Sequence, residues 1–286
     1  MDPSNVSIVV PAYNEGPVIG AVVKALREAM PQAELIVVND GSTDDTPAQA
    51  QAAGATVISH EMQGGYGWAL RTGTLAASRD YVLFCDGDGQ HSVEDVARLI
   101  AECDGYDMVV GARGADSHVP RRRLLGKFIM QRFARYMAKQ DIPDINSGLR
   151  VFKRESLRKV LYLMPTGFSF STTSSFAMIK ANRRIKYVPI KTGPRVGKST
   201  VRQLRDGPRA LMLMLRLVVL FEPLRVFMAF AGFTLLLAFV SMGIDLTFGR
   251  HGIGQTTVTF SIATLVIFTF GLLCDQVSAI RREIHD

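Results

Sequence analysis

The chain has 286 residues, of which 48% are hydrophobic and 21% are charged, and its mean hydropathy is +0.16. This composition excludes an intrinsically disordered protein, and three cysteines in a chain of this length exclude a small disulfide-stabilised scaffold. The net charge of +7 divides unevenly, because residues 1–112 carry 5 basic and 16 acidic side chains whereas residues 113–286 carry 28 basic and 10 acidic ones.

The first 112 residues alternate between strand and helix patterns. Short runs rich in Val and Ile predict strands, and the segments between them have the apolar spacing of amphipathic helices. The predicted strands are 6–10, 34–38, 56–59, 81–85 and 108–111, and the predicted helices are 17–30, 44–53, 67–78 and 92–103. This alternation predicts an α/β fold with a Rossmann-like, mostly parallel sheet covered on both faces.

Polar segments follow three of these strands. They are Pro11-Ala12-Tyr13-Asn14-Glu15, Asn39-Asp40-Gly41-Ser42 and Asp86-Gly87-Asp88-Gly89-Gln90-His91. The carboxyl ends of parallel strands lie at one edge of a sheet, and ligands bind in the crevice outside that edge. The sequence therefore predicts that the three segments converge on one binding site.

Asp86 and Asp88 are the candidate metal ligands. One residue separates them, so both side chains project to the same side of an extended chain. Two carboxylates and the Gln90 carbonyl suit Mg²⁺ or Mn²⁺, which would keep positions open for diphosphate oxygens. The alternative is a turn rich in Asp and Gly that binds nothing, and the position after an apolar strand favours the metal site. His91 either faces this site or begins the next helix.

Two further segments belong near this edge. Asp40 either caps the next helix or accepts hydrogen bonds from a nucleotide base; because Ser42 or Thr43 would be a better cap, the base is favoured. The glycine-rich segment 64–67 lacks the spacing of a dinucleotide-binding loop and predicts a tight turn before a helix.

Beyond residue 205 the chain is strongly apolar. Leucines interrupted by arginines over 206–223 predict an amphipathic helix in the membrane interface, and 121–139 is a second candidate for such a helix. Segments 224–248 and 256–280 are long enough to cross a bilayer and predict a transmembrane hairpin. Arginines flank its outer ends, which places the N-terminal domain and both termini in the cytoplasm. A pair of buried core helices is the alternative interpretation.

The predicted organisation has three parts. Residues 1–205 form a cytoplasmic catalytic domain, 206–223 a juxtamembrane helix, and 224–286 the hairpin with a short cytoplasmic tail. Nucleic-acid binding is not expected, because the cations flank apolar helices rather than aromatic platforms on which bases could stack.

The three strand-end segments resemble, in order and spacing, the motifs of family 2 glycosyltransferases with the GT-A fold. Asn146-Ser147-Gly148-Leu149-Arg150-Val151-Phe152 resembles the S-G-F/L-R motif of polyprenyl-phosphate glycosyltransferases, the dolichyl-phosphate mannose synthase group. Arg195-Val196-Gly197-Lys198-Ser199 resembles that group's R-x-G-x-S segment. The resemblance implies inverting transfer of a hexose from GDP-mannose or a UDP-hexose to a polyprenyl or dolichyl phosphate, with Mg²⁺ or Mn²⁺.

The resemblance also implies roles for individual residues. The donor nucleotide would contact Pro11, Tyr13, Glu15 and Asp40. The metal would be bound by Asp86, Asp88 and Gln90, and the catalytic residues would be Asp88, Arg113 and Arg132. The acceptor or its phosphate would meet Arg113, Arg132, Ser147, Arg150, Arg195 and Lys198. For each cation, a solvated surface charge is the alternative.

A phosphate acceptor fits a site without a protein base. A phosphate monoester has a second pKa of about 6, so it is largely ionised near neutral pH and can attack directly. Two competing interpretations remain. One is a glycosyltransferase that uses another membrane or polysaccharide acceptor, and the other is a noncatalytic membrane-tethered nucleotide-binding protein. The sequence leaves open the sugar, UDP or GDP as the nucleotide, the lipid length and the oligomeric state.

Overall fold

The computed structural model describes residues 2–114, 132–167, 169–191, 206–247 and 253–283. The chain divides into two compact units, Met1–Gly207 and Pro208–Asp286. The first unit contains a mixed seven-stranded sheet in the order β3-β2-β1-β4-β6-β5-β7. Its strands are β1 Val6–Ala12, β2 Glu34–Asn39, β3 Thr56–Ser59, β4 Tyr81–Phe84, β5 Met108–Arg113, β6 Arg150–Lys153 and β7 Ile185–Ile190.

Helices connect these strands within the first unit. They are α1 Gly16–Ala29, α2 Thr46–Ala52, α3 Tyr66–Ala76, α4 Val93–Ala101, α5 over 132–138, α6 Arg154–Val160 and α7 Phe170–Lys180. Every paired strand runs parallel to its neighbour except β6, which is antiparallel to both β4 and β5. The predicted fold class, a Rossmann-like and mostly parallel α/β sheet, is confirmed.

The sheet is buried on both faces. Alternate residues of a strand point to opposite sides, so Leu83 packs in the cluster beneath α1 and α4 whereas Phe84 meets aromatic rings on the other face. The ring of Phe84 lies 5.3 Å from that of Phe152 and 5.6 Å from that of Phe170. Burial on both faces explains why the central strands are continuous apolar runs rather than alternating ones.

The direction of strand addition reverses at β1. From β1 the chain proceeds to β2 and β3 on one side, and it then returns to add β4 on the other side of β1. Such a reversal opens a crevice at the carboxyl ends of the two diverging strands. The segments that follow β1 and β4 therefore flank the natural ligand position of this sheet.

Strand β6 was not predicted. It inserts between β4 and β5, where Arg150 is paired with Phe84 on one side and with Val110 on the other. A four-residue strand whose partners are distant in sequence carries little local signal, because its pairing is set by tertiary contacts.

The second unit contains most of α8 Asp206–Phe221 and the helices α9 Pro223–Thr247 and α10 Gln255–Glu283. Over Pro223–Thr247 and Gln255–Arg281 the length and composition suffice to cross a membrane, with mean hydropathy 2.1 in each. Only 11% of an 18-residue apolar stretch in each helix is buried, so apolar side chains cover its outside. In water this much exposed apolar surface is unfavourable, whereas in lipid it is the normal state of a helix.

Polar contacts join α9 to α10. The hydroxyls of Thr234 and Thr264 lie 2.9 Å apart. The Asp245 carboxylate accepts hydrogen bonds from the Gly254 amide and the Thr257 hydroxyl, both at 2.9 Å. Hydrogen bonds of this kind stabilise helix pairs in an apolar environment, where no water competes for the donors. The two helices therefore form a defined hairpin.

Candidate active site

A cavity of about 280 Å³ lies at the carboxyl ends of β1, β2 and β4. It is lined by Pro11, Ala12, Tyr13, Glu15, Asp40, Gln63, Gly65, Tyr66, Ala69, Asp86, Gly87, Asp88, Asn146, Gly148 and Ser171. The four residues predicted to contact the donor nucleotide and both predicted metal-binding aspartates are in this set. The prediction that three polar segments converge at one edge therefore agrees with the geometry.

The Asp86 carboxylate is contacted on both oxygens. Its Oδ1 accepts a hydrogen bond from the Tyr66 hydroxyl at 3.0 Å, and its Oδ2 lies 3.6 Å from Nε2 of His91. The side chain remains 32% exposed. Of the two positions considered for His91, the structure therefore favours the one beside the site.

Asp88 is buried in the same turn, which follows β4. Its Oδ1 accepts a hydrogen bond from the backbone amide of Gln90 at 3.1 Å, and Gln90 itself does not line the cavity. Among the described residues no three His, Cys, Asp or Glu side chains form a cluster of metal ligands. Two carboxylates that open into one cavity still fit Mg²⁺ or Mn²⁺, because these ions keep several positions for water and phosphate oxygens.

Asp40 holds the neighbouring loop. Its carboxylate accepts hydrogen bonds from the amides of Gly64 and Gly65 at 2.9 and 2.8 Å, and Nδ1 of His60 lies 2.9 Å from its Oδ1. It does not cap α2, which begins six residues later. Asp40 lines the cavity, so it can face a base while it fixes the loop beside that base.

Arg113 forms a bidentate ion pair with Asp144, which sequence reasoning missed. Its Nε and Nη2 donate to the two carboxylate oxygens at 2.6 and 3.0 Å. The hydrogen bond to Asp144 raises the pKa of Arg113. Burial alone would raise the pKa of Asp144, but the hydrogen bonds and charge of Arg113 lower it below its usual value. The guanidinium does not line the cavity, and the pair with Asp144 leaves Nη1 as a further donor.

Arg150 differs from the expectation of a phosphate-binding residue. It is 1% exposed, and its guanidinium donates five hydrogen bonds to protein groups. The acceptors are the carbonyls of Ile145, Ser147 and Ser171 and the hydroxyls of Ser174 and Ser175. Burial lowers its pKa to about 10, so it remains charged at neutral pH. The guanidinium therefore lies buried beneath the site and binds protein acceptors.

The remaining predicted acceptor residues lie away from the cavity or outside the described residues. Ser147 is buried and does not line the cavity, and Arg132 is exposed at the start of α5. Arg195 and Lys198 lie outside the described residues, as does the first part of the predicted 121–139 helix.

Nine of the fifteen cavity residues were not predicted as donor or metal contacts, and four of these nine are Tyr66, Asn146, Gly148 and Ser171. Thr172 donates a hydrogen bond to the Asn146 side-chain oxygen at 2.9 Å, which leaves the amide nitrogen of Asn146 as a donor. Gly148 lies directly against Asp86. The sequence indicated two of these residues in part, because Asn146 and Gly148 belong to the segment that resembles the S-G-F/L-R motif. No local pattern predicts which residues they contact.

The change Gly148→Ala is expected to lower turnover by about tenfold or more with little loss of stability. An added Cβ would lie 2.5 Å from Oδ2 of Asp86, so the carboxylate at the end of that side chain must move. A displacement of about 1 Å at a reacting group can cost about 100-fold in rate. Steady-state kinetics and thermal unfolding measure the two effects.

Gly167→Ala is the matched control for this change, because no atom of the described residues lies within 4 Å of a Cβ added there. We expect wild-type turnover for Gly167→Ala. Wild-type turnover in Gly148→Ala as well would show that the position of the Asp86 carboxylate does not matter.

The sheet with its reversal at β1, the cavity and the paired carboxylates define an α/β domain of the nucleotide-binding kind. The model of glycosyl transferase family 2 matches residues 7–161, and the chain therefore belongs to this family. The model of the GtrB C-terminal hairpin matches residues 222–280. The family recognised from the motifs is thereby confirmed.

Named relatives are similar over most of the chain. The Haloferax volcanii glycosyltransferase AglJ is 29% identical over 98% of this chain and 96% of its own length. The dolichyl-phosphate hexose transferase of the same organism is 31% identical over 71% of this chain and 89% of its own. A solved structure of glucosyl-3-phosphoglycerate synthase from Mycobacterium tuberculosis, in complex with Mn²⁺, UDP and glucosyl-3-phosphoglycerate, is 26% identical with a TM-score of 0.56. The alignment with that structure covers 75% of this chain and 78% of the other.

Proposed function

We propose that the protein transfers a hexose from a nucleotide sugar to a polyprenyl or dolichyl phosphate, giving a lipid-phosphate sugar and a nucleoside diphosphate. The observation that carries this proposal is one cavity that combines Tyr13, Glu15 and Asp40 with Asp86 and Asp88. The names of the relatives support the lipid acceptor, because one is a dolichyl-phosphate hexose transferase and another a polyprenol monophosphomannose synthase.

The donor would lie across the carboxyl ends of β1, β2 and β4. Pro11, Tyr13, Glu15 and Asp40 would surround the base and ribose. The diphosphate would then point toward Asp86 and Asp88, at the other side of the reversal in the sheet. Such a fixed orientation brings the anomeric carbon and the incoming phosphate together without a further ordering step.

Asp86 and Asp88 would hold Mg²⁺ or Mn²⁺, together with Gln90. When bound, the ion neutralises charge that develops on the leaving diphosphate. The crystallised neighbour with Mn²⁺ and UDP supports this assignment. The positions of the two carboxylates would be set by neighbouring groups: Tyr66 and Gly148 for Asp86, and the Gln90 amide for Asp88.

The acceptor phosphate would meet cations from the basic part of the chain. Arg113, Arg132, Arg195 and Lys198 are the candidates, and we assign Arg150 a supporting role beneath the site. An ionised phosphate needs no protein base, so these groups position it and stabilise its charge while it attacks in line. In-line attack inverts the anomeric centre.

The C-terminal hairpin would anchor this chemistry at the membrane. We propose a catalytic domain over 1–205, an interfacial helix over 206–223 and a spanning hairpin over 224–286. Two helices would return the chain to the side it came from, and the flanking arginines support a cytoplasmic location for that side. Lipid phosphates would then meet the cations of the domain at the membrane surface.

A donor screen tests the proposal. Purified protein in lipid vesicles that contain undecaprenyl phosphate or dolichyl phosphate is given radiolabelled UDP-glucose, UDP-galactose or GDP-mannose. We expect label to move into an organic-extractable lipid in the presence of Mn²⁺ and to be lost with a chelator. Vesicles without the lipid phosphate are the control.

Two results would contradict the proposal. Label in a water-soluble or polymeric product, with none in the lipid, would favour the glycosyltransferase with another acceptor. Nucleotide binding without turnover of any donor would favour the noncatalytic interpretation.

A further inference from the structure

We propose that Tyr66 is a positioning residue that sets the Asp86 carboxylate for the divalent cation, and that its loop ties this subsite to the base subsite. The inference rests on the proposed function, since it concerns how one proposed metal ligand is held. Neither the family motifs nor the sequence pattern pointed to Tyr66.

The hydroxyl of Tyr66 is committed to Asp86. It donates a hydrogen bond to Oδ1 at 3.0 Å. The opposite oxygen, Oδ2, faces Gly148 and His91. The Tyr66 hydroxyl on Oδ1, with Gly148 and His91 beside Oδ2, thus restricts the rotation of the carboxylate.

The backbone next to Tyr66 is held just as firmly. Gly64 and Gly65 donate their amides to Asp40, and the Trp68 amide donates to the carbonyl of Thr166 at 3.0 Å. Gly65 has φ of +103°, and an added Cβ would lie 2.7 Å from that same carbonyl. The segment 64–68 consists of the glycine turn and the first residues of α3. It is anchored to Asp40 through Gly64 and Gly65 and to the Asp86 carboxylate through Tyr66.

Removing only the Tyr66 hydroxyl separates its contact with Asp86 from the backbone contacts of Gly64 and Gly65 with Asp40. In Tyr66→Phe the ring still fills its site, and the amides of Gly64 and Gly65 still bind Asp40. Asp86 loses the donor that orients it. Loss of a hydrogen bond that orients a metal ligand typically weakens metal binding about 10- to 100-fold. We therefore expect weaker cation binding with nucleotide affinity preserved once the cation is saturating.

The experiment titrates Mn²⁺ into the full-length protein in nanodiscs and follows the electron paramagnetic resonance signal of free Mn²⁺, with UDP and in parallel with GDP. Tyr66→Phe is expected to raise the Mn²⁺ dissociation constant about tenfold or more. Calorimetry at saturating Mn²⁺ should give a nucleotide dissociation constant within about twofold of wild type, as the intact contacts to Asp40 require.

Tyr81→Phe is the matched control, because it removes a tyrosine hydroxyl at the opposite end of β4. It should leave both constants unchanged. Unchanged Mn²⁺ affinity in Tyr66→Phe overturns the positioning role while leaving the proposed function intact. Equal losses of Mn²⁺ and nucleotide affinity also overturn it, because they mean that the whole loop has moved. If the wild type binds no Mn²⁺, both the positioning role and the metal assignment fall.

Discussion

Asp88→Asn is expected to lower sugar transfer by at least about 100-fold while the protein stays folded. Asparagine has the same shape and keeps a side-chain oxygen, so it can still accept the hydrogen bond from the Gln90 amide. It lacks the negative charge that a divalent cation requires. The loss should therefore appear in turnover at saturating donor and Mn²⁺, and not in the unfolding temperature.

The matched control is Asp95→Asn, an equally conservative change at a buried aspartate outside the cavity. Asp95 pairs with Arg98 and accepts a hydrogen bond from the Lys191 amide, so its loss affects stability and leaves turnover of the folded enzyme near wild type. Wild-type turnover of Asp88→Asn at saturating Mn²⁺ would remove Asp88 from the proposed metal site.

Arg150→Met is expected to destabilise the protein by roughly 3 kcal/mol or more. Methionine has similar length but no donors, so the buried carbonyls of Ile145 and Ser147 lose the hydrogen bonds from the guanidinium. The Ser171 carbonyl still accepts hydrogen bonds from the hydroxyls of Ser174 and Ser175. A buried polar group that loses its partner costs about 1–3 kcal/mol, and two carbonyls are affected at once. Denaturant or thermal unfolding in detergent gives the difference from wild type.

Lys153→Met is the control, because it exchanges an exposed cation on the same strand and should change stability by less than about 0.5 kcal/mol. A direct phosphate contact would give a different pattern for Arg150→Met. Stability would then be retained, and the Michaelis constant for the acceptor would rise. That outcome would restore the role first expected from the motif.

The sequence predicted what local patterns determine. The strands that lead into the site are continuous apolar runs, and the polar residues after them follow directly in the chain. Their convergence needed only the rule that parallel strands end at one edge. For this reason the amino-acid sequence alone suffices to assign Asp40, Asp86 and Asp88 to one crevice, and all three line the cavity.

The contacts that sequence reasoning missed join segments that are distant in the chain. Arg150 looks like a phosphate ligand in sequence, and it becomes a buried support because β6 inserts between β4 and β5 and faces the hydroxyls of α7. Asp144 binds Arg113 across 31 positions, and Tyr66 reaches Asp86 across 20. Periodicity and motif spacing carry no information on such pairs.

The hydrogen bonds from Gly64 and Gly65 to Asp40 have a thermodynamic consequence for the proposed donor binding. Its carboxylate orders the backbone of Gly64 and Gly65 while the protein folds. Fixing one residue's backbone costs about 1–2 kcal/mol of conformational entropy, and glycine has the most to lose. Because folding has already removed this conformational entropy, nucleotide binding loses less of it. At the proposed donor site, part of the nucleotide affinity would then come from order that is already present in the folded protein, and a variant that loosens the loop should bind nucleotide with a larger entropic penalty.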